Sequence, residues 1–122
     1  VGGLGNDNLT GGLGADVFVF NTTPNASSNR DTITDFNATD DDIWLAKSVM
    51  TGLGSSTGAL SADAFWGGAG ITASHDATDR VIYNQTTGAL YYDADGNGAT
   101  AAIQIAQLTA GTALSASDVF II

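Results

Sequence analysis

Two consecutive glycine-rich repeats, GGLGNDNLT and GGLGADVFV, fill residues 2–19, and each ends its glycine run with an aspartate. Glycines allow positive φ, so that backbone carbonyls turn toward one point, and the aspartate side chain reaches the same point. Such oxygen donors suit Ca²⁺, which takes about six to eight oxygens. The repeats therefore predict calcium-binding turns with the ligands Gly2, Gly3, Gly5, Asp7, Gly11, Gly12, Gly14 and Asp16.

A single turn offers too few oxygens for Ca²⁺, so two turns must stack. In a parallel β-roll one nine-residue unit forms half a coil, and the stacking partner of a turn therefore lies two units further along. The Asp-x-apolar pattern of the repeats recurs at Asp31 with Ile33 and at Asp41 with Ile43. We expect Asp31 and Asp35 to complete the calcium sites, with Asp41 as an accessory ligand.

A second candidate site is the stretch Asp93-Ala-Asp95-Gly-Asn97-Gly98. Oxygen-bearing side chains at the first, third and fifth places, followed by glycine, begin the loop of helix-loop-helix calcium sites. Strands are predicted on both sides, and Gln104 stands where that loop needs a bidentate Glu. Two interpretations stay open: a tight polar hairpin turn, or an accessory calcium site with Asp93, Asp95 and Asn97 as ligands.

The charge of the chain restricts its partners. All 13 acidic residues are Asp, only 3 residues are basic, and the net charge is −10. Asp holds its carboxylate close to the backbone and tolerates turns, so its exclusive use favours cation ligands over general acidic solubility. Nucleic acid and anionic membrane surfaces require basic residues, and no apolar run is long enough to span a bilayer. The sequence predicts neither partner.

The sequence lacks the residues of common catalytic sites. It contains no Cys and no Glu, and His75 is the only histidine. Zinc hydrolysis therefore has no ligand set, and His75 is expected to be an exposed loop residue. We expect that the chain is not an enzyme. Five large aromatics could stack on sugars, although strand spacing favours core and edge packing for them: Trp44, Trp66, Tyr83, Tyr91 and Tyr92.

The elements that must position these residues are short strands and turns, which predicts an all-β fold. Residues 1–45 are expected to form the end of a right-handed parallel β-roll, and residues 46–79 an irregular junction. Ser61 is a candidate N-cap for the one short helix, which would run through Phe65 and Trp66. Residues 80–122 are expected to form an antiparallel strand and hairpin cap.

The sequence resembles the carboxy-terminal region of the repeats-in-toxin (RTX) proteins, the hemolysin-type calcium-binding family. The resemblance covers nearly the whole chain and rests on the two repeats, DTITDF at 31–36, DRVIYNQTTGALYYDADGNG at 79–98 and LSASDVFII at 114–122. It implies calcium ligation by Asp7 and Asp16, with Asp31 and Asp35 closing the last sites. It also implies bacterial type I secretion, with an export signal at Asp118, Val119, Phe120, Ile121 and Ile122.

These observations predict a calcium-binding, secreted module that folds on Ca²⁺ outside the cell and belongs to a larger protein. The first repeat opens after a single residue, Val1, so we expect further repeats upstream in the parent chain. The alternative from a different class is a calcium-dependent adhesion module that binds carbohydrate or another surface through its aromatics.

Overall fold

The computed structural model describes residues 1–122 and contains ten strands but no α-helix. Its three helical segments are 3-10 turns of three residues each. No helix has the length and apolar character that crossing a membrane requires. The all-β fold predicted from the sequence is confirmed. The strands are β1 (Asn8–Leu9), β2 (Val17–Phe20), β3 (Asp31–Ile33), β4 (Asp42–Leu45), β5 (Gly58–Ala59), β6 (Phe65–Gly68), β7 (Val81–Asn84), β8 (Ala89–Tyr92), β9 (Ile103–Gln107) and β10 (Val119–Ile121).

The roll is built from two parallel strand pairs on opposite sides of an apolar core. In the pair β1 and β3, Leu9 lies opposite Ile33. In the pair β2 and β4, Phe18 lies opposite Ile43. Ile33, Ile43 and Phe18 are buried, and Leu9 packs against the same cluster. The apolar residue of each Asp-x-apolar triplet therefore anchors its half-coil to the core, where burial contributes about 25 cal/mol per Å² of apolar surface.

Each complete coil is longer than two nine-residue units, because stacked residues are 24 or 25 positions apart. The extra length is the polar loop 21–30, in which the side chain of Asn25 accepts hydrogen bonds from the backbone N–H groups of Ser27 and Ser28. The side chain of Asn6 joins this loop to the first turn, since it donates to Ser27 O and accepts from Arg30 N. The loop thus braces the first repeat.

The cap continues both sheets of the roll. Strands β7, β8 and β9 form an antiparallel meander, and β9 pairs in parallel with β3, giving the six-stranded order β1-β3-β9-β8-β7-β6. The second sheet has the order β2-β4-β10-β5, in which β10 is parallel to β4 and antiparallel to β5. The division into 1–45, 46–79 and 80–122 stays a prediction, and these pairings join its first and last segments directly.

The prediction of a helix through Phe65 and Trp66 was wrong. Within this stretch only Ala62–Ala64 is helical, as a 3-10 turn. Ser61 caps the turn as expected, because its Oγ accepts from Asp63 N at 3.3 Å. Phe65 and Trp66 instead belong to β6, which pairs in parallel with β7. Hydrogen bonds to a strand 16 residues away in sequence thus override the local preference.

Gly88 closes the β7–β8 hairpin, where the backbone packs closely against Leu108. Its φ is +81°, and a Cβ at this position would overlap the carbonyl oxygen of Leu108. We expect Gly88→Ala to reduce the free energy of unfolding, measured in urea with saturating Ca²⁺, by about 1–3 kcal/mol for the φ strain and by more for the overlap. Gly111→Ala is the control, since Gly111 has φ +85° and no atom near the added Cβ. Equal losses for both variants would refute the role of the overlap.

Candidate calcium-binding turns

The glycine-rich turns before β1 and β2 have the same backbone conformation. The second and fourth residues of each repeat, Gly3 and Gly5 in the first and Gly12 and Gly14 in the second, have φ between +86° and +113°. Side chains other than glycine rarely adopt these angles. This explains why glycine recurs at both positions. Each turn ends at its aspartate, Asp7 or Asp16, immediately before the strand.

A second carboxylate lies against the first turn. Asp31 Oδ1 accepts a hydrogen bond from Asp7 N at 3.0 Å, and Asp31 is only 4% exposed. A Cβ on Gly2 would lie 2.7 Å from Asp31 Oδ2 and 2.9 Å from Asp7 Oδ2. The remaining oxygens of both carboxylates therefore converge over a glycine that leaves them room. This is the stacking of units that the repeat spacing predicts.

The second turn repeats the arrangement with Asp41. Asp41 Oδ1 accepts from Asp16 N at 3.0 Å, and its Oδ2 accepts from Asn37 N at 2.9 Å. Asp16 Oδ2 lies over Gly11, since a Cβ there would be 2.6 Å away. Asp41 thus occupies the place that Asp31 occupies at the first turn, and it is buried as well. The sequence suggested this only through the shared Asp-x-apolar triplet, and the role of Asp41 as an accessory metal ligand stays a prediction.

Asp35 contacts the second turn in a different way. Its two oxygens accept hydrogen bonds from the backbone N–H groups of Gly11 and Gly12, at 2.9 and 2.8 Å. These two bonds lower the pKa of the carboxyl group. Asp35 therefore fixes the start of the second turn, and its predicted role as a metal ligand stays a prediction. At the first turn, the Gly3 carbonyl accepts a hydrogen bond from the hydroxyl of Thr22 at 3.1 Å.

No Lys or Arg side chain neutralises the charges in these turns. Asp7 Oδ2 and Asp16 Oδ2 are buried and have no hydrogen-bond partner. No Lys or Arg nitrogen lies within 4.0 Å of any carboxylate, and the only ionic contacts of this kind involve His75. A buried carboxylate costs several kcal/mol unless a cation or hydrogen bonds compensate it. The donor set, carboxylate oxygens beside glycine-rich backbone, fits a hard cation such as Ca²⁺.

The remaining sequence candidates lie elsewhere. Asp93 and Asp95 come together at the end of β8, where Asp93 Oδ1 accepts from Asp95 N at 3.1 Å, and Asn97 is exposed. The sequence did not indicate the neighbouring group of His75, Asp76 and Asp79, whose ligand atoms lie within 4.8 Å of one another. His75 is exposed as predicted, but its ring also stacks on Trp66.

The aromatics do not form a common exposed surface. Tyr83 and Tyr92 are buried, with their hydroxyl groups bonded to Thr112 O and Gly52 N. The other three, Trp44, Trp66 and Tyr91, are partly buried. Tyr83 and Tyr92 are therefore packing residues and cannot stack on a sugar in this fold.

Buried carboxylates give the metal-free chain a distinctive pH dependence. Burial raises the pKa of Asp31 above its ordinary value of 3.8, and the charge of Asp7 raises it further. Burial also raises the pKa values of Asp42 and Asp93. For these groups the folded state binds protons more tightly than the unfolded state, so the stability they contribute is present below 3.8 and is lost as the pH rises through their folded pKa values.

We therefore expect the thermal midpoint of the chain in EDTA to increase as the pH falls from about 7 to about 4. Below 3.8 the trend should reverse, because hydrogen bonds lower the pKa values of Asp35 and Asp76, whose contribution is lost on protonation. Thermal unfolding followed by circular dichroism measures the thermal midpoint above and below this pH. A midpoint that decreases steadily from neutral pH downward would contradict this electrostatic description.

Comparison with known families agrees with the fold and the turns. The family described as Peptidase M10 serralysin C terminal matches residues 1–121. Comparison with curated proteins finds no match, and neither does comparison with solved structures. The family match spans almost the whole chain, including both repeats and the cap. The chain belongs to the serralysin C-terminal family, a family of calcium-binding, RTX-like β-roll domains found in secreted proteins.

Proposed function

We propose that the chain is a calcium-dependent folding module of a larger secreted protein, and that it has no catalytic role of its own. The observation that carries the proposal is the pair of stacked turns, in which Asp7 and Asp16 each keep a buried oxygen without a partner. Each of these oxygens belongs to a turn contacted by a second buried carboxylate, Asp31 or Asp41. Membership of a calcium-binding family supports Ca²⁺ as the missing partner.

In this proposal Asp7 and Asp31 hold calcium at the first turn, and Asp16 and Asp41 hold it at the second, together with glycine carbonyls of the turns. The ion supplies positive charge and accepts oxygen ligands. Without it, two carboxylates about 4 Å apart repel by about 1–4 kcal/mol, depending on the effective dielectric constant. Binding free energy that exists only in the folded state becomes folding free energy. The module would stay loose where calcium is scarce and fold outside the cell.

Calorimetry tests the sites. We expect the double variant Asp7→Asn/Asp16→Asn to bind fewer Ca²⁺ ions than the unchanged chain, because both turns lose a charged ligand. Asp63→Asn is the matched control, since it removes one charge from an exposed residue outside the roll. An unchanged number of bound ions in the double variant would refute the assignment of the turns.

Further repeats upstream are the partner proposed for the open end of the roll. Strands β1 and β2 are the edges of the two sheets, so their outer hydrogen-bonding groups face no other strand. Beside them Leu4 and Leu13 are 79% and 103% exposed. Further coils of the parent chain would pair with both edges and cover these side chains.

The type I secretion signal is proposed for Asp118–Ile122. In the fold, Val119 is buried, and residues 119–121 pair with β4. The machinery could therefore bind this segment only while the chain is unfolded, which agrees with folding after export.

Secretion of the parent protein tests this role. Deletion of residues 118–122 should abolish secretion, whereas Val119→Ala, which leaves the segment in place but removes core contacts of β10, should not. Normal secretion of the deletion variant, or equal loss in both variants, would argue against an export signal in these residues.

A further inference from the structure

Two loops of the cap bind each other: residues 93–101, between β8 and β9, and residues 72–79. Ser74 Oγ donates to Gly96 O at 2.8 Å, and Asn97 N donates to Asp76 O at 3.0 Å. Gly96 has φ +66°, and a Cβ there would lie 2.6 Å from Asp76 O. A residue with a side chain does not fit this approach, so the two loops form one unit.

Loop 93–101 contains the only Asn-Gly pair of the chain, Asn97-Gly98. In such a pair the backbone nitrogen that follows the asparagine can attack the carbonyl carbon of its side chain. The chain holds the two reacting groups close together, and glycine has no Cβ to hinder the approach. Asparagine is accordingly one of the thermolabile residues of proteins. The pair is therefore a candidate for spontaneous loss of the side-chain amide.

The structure distinguishes Asn97 from the other asparagines. The Asn97 side chain is exposed and makes no hydrogen bond within the protein, which leaves it free to rotate toward the backbone. Asn8 and Asn21 are exposed as well, but they precede Leu9 and Thr22, whose side chains crowd the nitrogen that would have to attack. The remaining five are held by side-chain hydrogen bonds: Asn6, Asn25, Asn29, Asn37 and Asn84.

The attacking nitrogen is weakly held. Gly98 N donates to Asp95 O at 3.4 Å, beyond the usual range of about 2.7–3.2 Å for such a bond. A Cβ on Gly98 would overlap Asp95 Oδ2, so the packing of the loop requires glycine at this position. The residue that the fold requires after Asn97 is thus also the one that hinders attack least.

We propose that Asn97 is a modification site, at which the folded chain deamidates without an enzyme. The Gly98 nitrogen gives its proton to solvent base and bonds to Asn97 Cγ. The C–N bond of the side-chain amide breaks, and its nitrogen takes up a proton and leaves as ammonia. Water then adds to either carbonyl of the cyclic imide and opens the ring, which leaves aspartate or isoaspartate at position 97. The step needs only water and involves no oxidation or reduction.

The product changes the contact between the two loops. Deamidation adds a carboxylate to a loop that already holds Asp93 and Asp95, and neither of these has a Lys, Arg or His nitrogen within 4.0 Å. Like charges at short range repel, and isoaspartate also adds a carbon to the backbone before Gly98. Both changes oppose the approach of loop 93–101 to loop 72–79. Modification therefore loosens this end of the cap as the protein ages.

Peptide mapping by mass spectrometry tests the site on the full 122-residue chain, kept folded in saturating Ca²⁺ at mildly alkaline pH. We expect the acid forms to accumulate at position 97 before any other asparagine changes, with isoaspartate among the products. Because opening a single loop hydrogen bond suffices for attack, the rate should stay within about tenfold of that in urea. Asn97→Gln is the matched control and should keep its amide, since its longer side chain forms the corresponding ring far more slowly.

Hydrogen exchange tests the effect on the loops. The N–H group of residue 97 bonds to Asp76 O, and it should exchange faster in the aged, deamidated chain than in the fresh chain. Equal exchange in both would refute the loosening. Deamidation of position 97 only in urea, or faster change at Asn8 or Asn21 in the folded chain, would overturn the site itself.

Discussion

Adding EDTA to the calcium-loaded chain is expected to weaken its β-sheet signal in circular dichroism and to lower its thermal midpoint, and restoring Ca²⁺ should reverse both changes. The physical reason is the number of uncompensated carboxylates, since the fold holds Asp7, Asp16, Asp31 and Asp41 in two close groups with no Lys or Arg beside them. Each site saturated at 100 times its Kd contributes about 2.7 kcal/mol. Two sites of that size are comparable with the whole stability of a small domain, about 5–15 kcal/mol.

Hydrogen exchange locates the loss within the chain. In EDTA, the amides of β1 to β4 should lose protection, because these strands carry the paired carboxylates. Magnesium at the same concentration is the control, since it is smaller and gives up its water reluctantly. If neither the spectrum nor the exchange pattern changes on adding EDTA or Ca²⁺, the coupling of metal binding to folding is refuted.

Asp31→Asn is expected to have opposite effects with and without calcium. With calcium, the variant lacks one charged group of the proposed first-turn site, and a loss of about 3 kcal/mol would weaken binding more than a hundredfold. In EDTA, the same change removes the repulsion between Asp31 and Asp7 and should stabilise the chain by about 1 kcal/mol or more. Asn keeps an oxygen that can accept from Asp7 N, so the hydrogen bond is preserved.

Urea unfolding with Ca²⁺ and with EDTA measures the change in the free energy of unfolding under each condition. Asp35→Asn is the informative comparison, because Asp35 accepts from the N–H groups of Gly11 and Gly12 and its pKa is lowered by them. Losing that charge should destabilise the chain under both conditions. If Asp31→Asn also destabilised the chain in EDTA, its carboxylate would be a structural acceptor without electrostatic cost in the metal-free state.

The turns and their stacking partners could be predicted because the residues that form them recur in a repeated sequence pattern. Asp7 and Asp16 share a nine-residue spacing, and the triplets at Asp31 and Asp41 repeat the same local pattern, so stacking follows from strand geometry. The length of the coil could not be predicted. It depends on loop 21–30, which is held by individual side-chain contacts of Asn6 and Asn25 that follow no period.

The cap shows why other structural features could not be predicted from the sequence. Phe65 and Trp66 follow a helix cap, yet they form a strand because β7 offers a partner, and local propensity carries no information about such a partner. Asp79 lies outside the nine-residue repeats, so no periodic spacing marks it for burial. Its burial follows from the approach of loops 72–79 and 93–101, which is a tertiary contact.

The pairing of β10 between β4 and the antiparallel β5 has a consequence for assembly. Because β9 and β10 occupy the downstream sides of β3 and β4, another coil can be added only at β1 and β2. The module therefore ends the roll on its downstream side, and coils can be added only on the side where the upstream repeats are proposed to lie. Without residues 80–122, the roll would have unpaired edge strands on both sides, β1 and β2 on one side and β3 and β4 on the other. Copies of such a roll could pair edge to edge and polymerise into filaments.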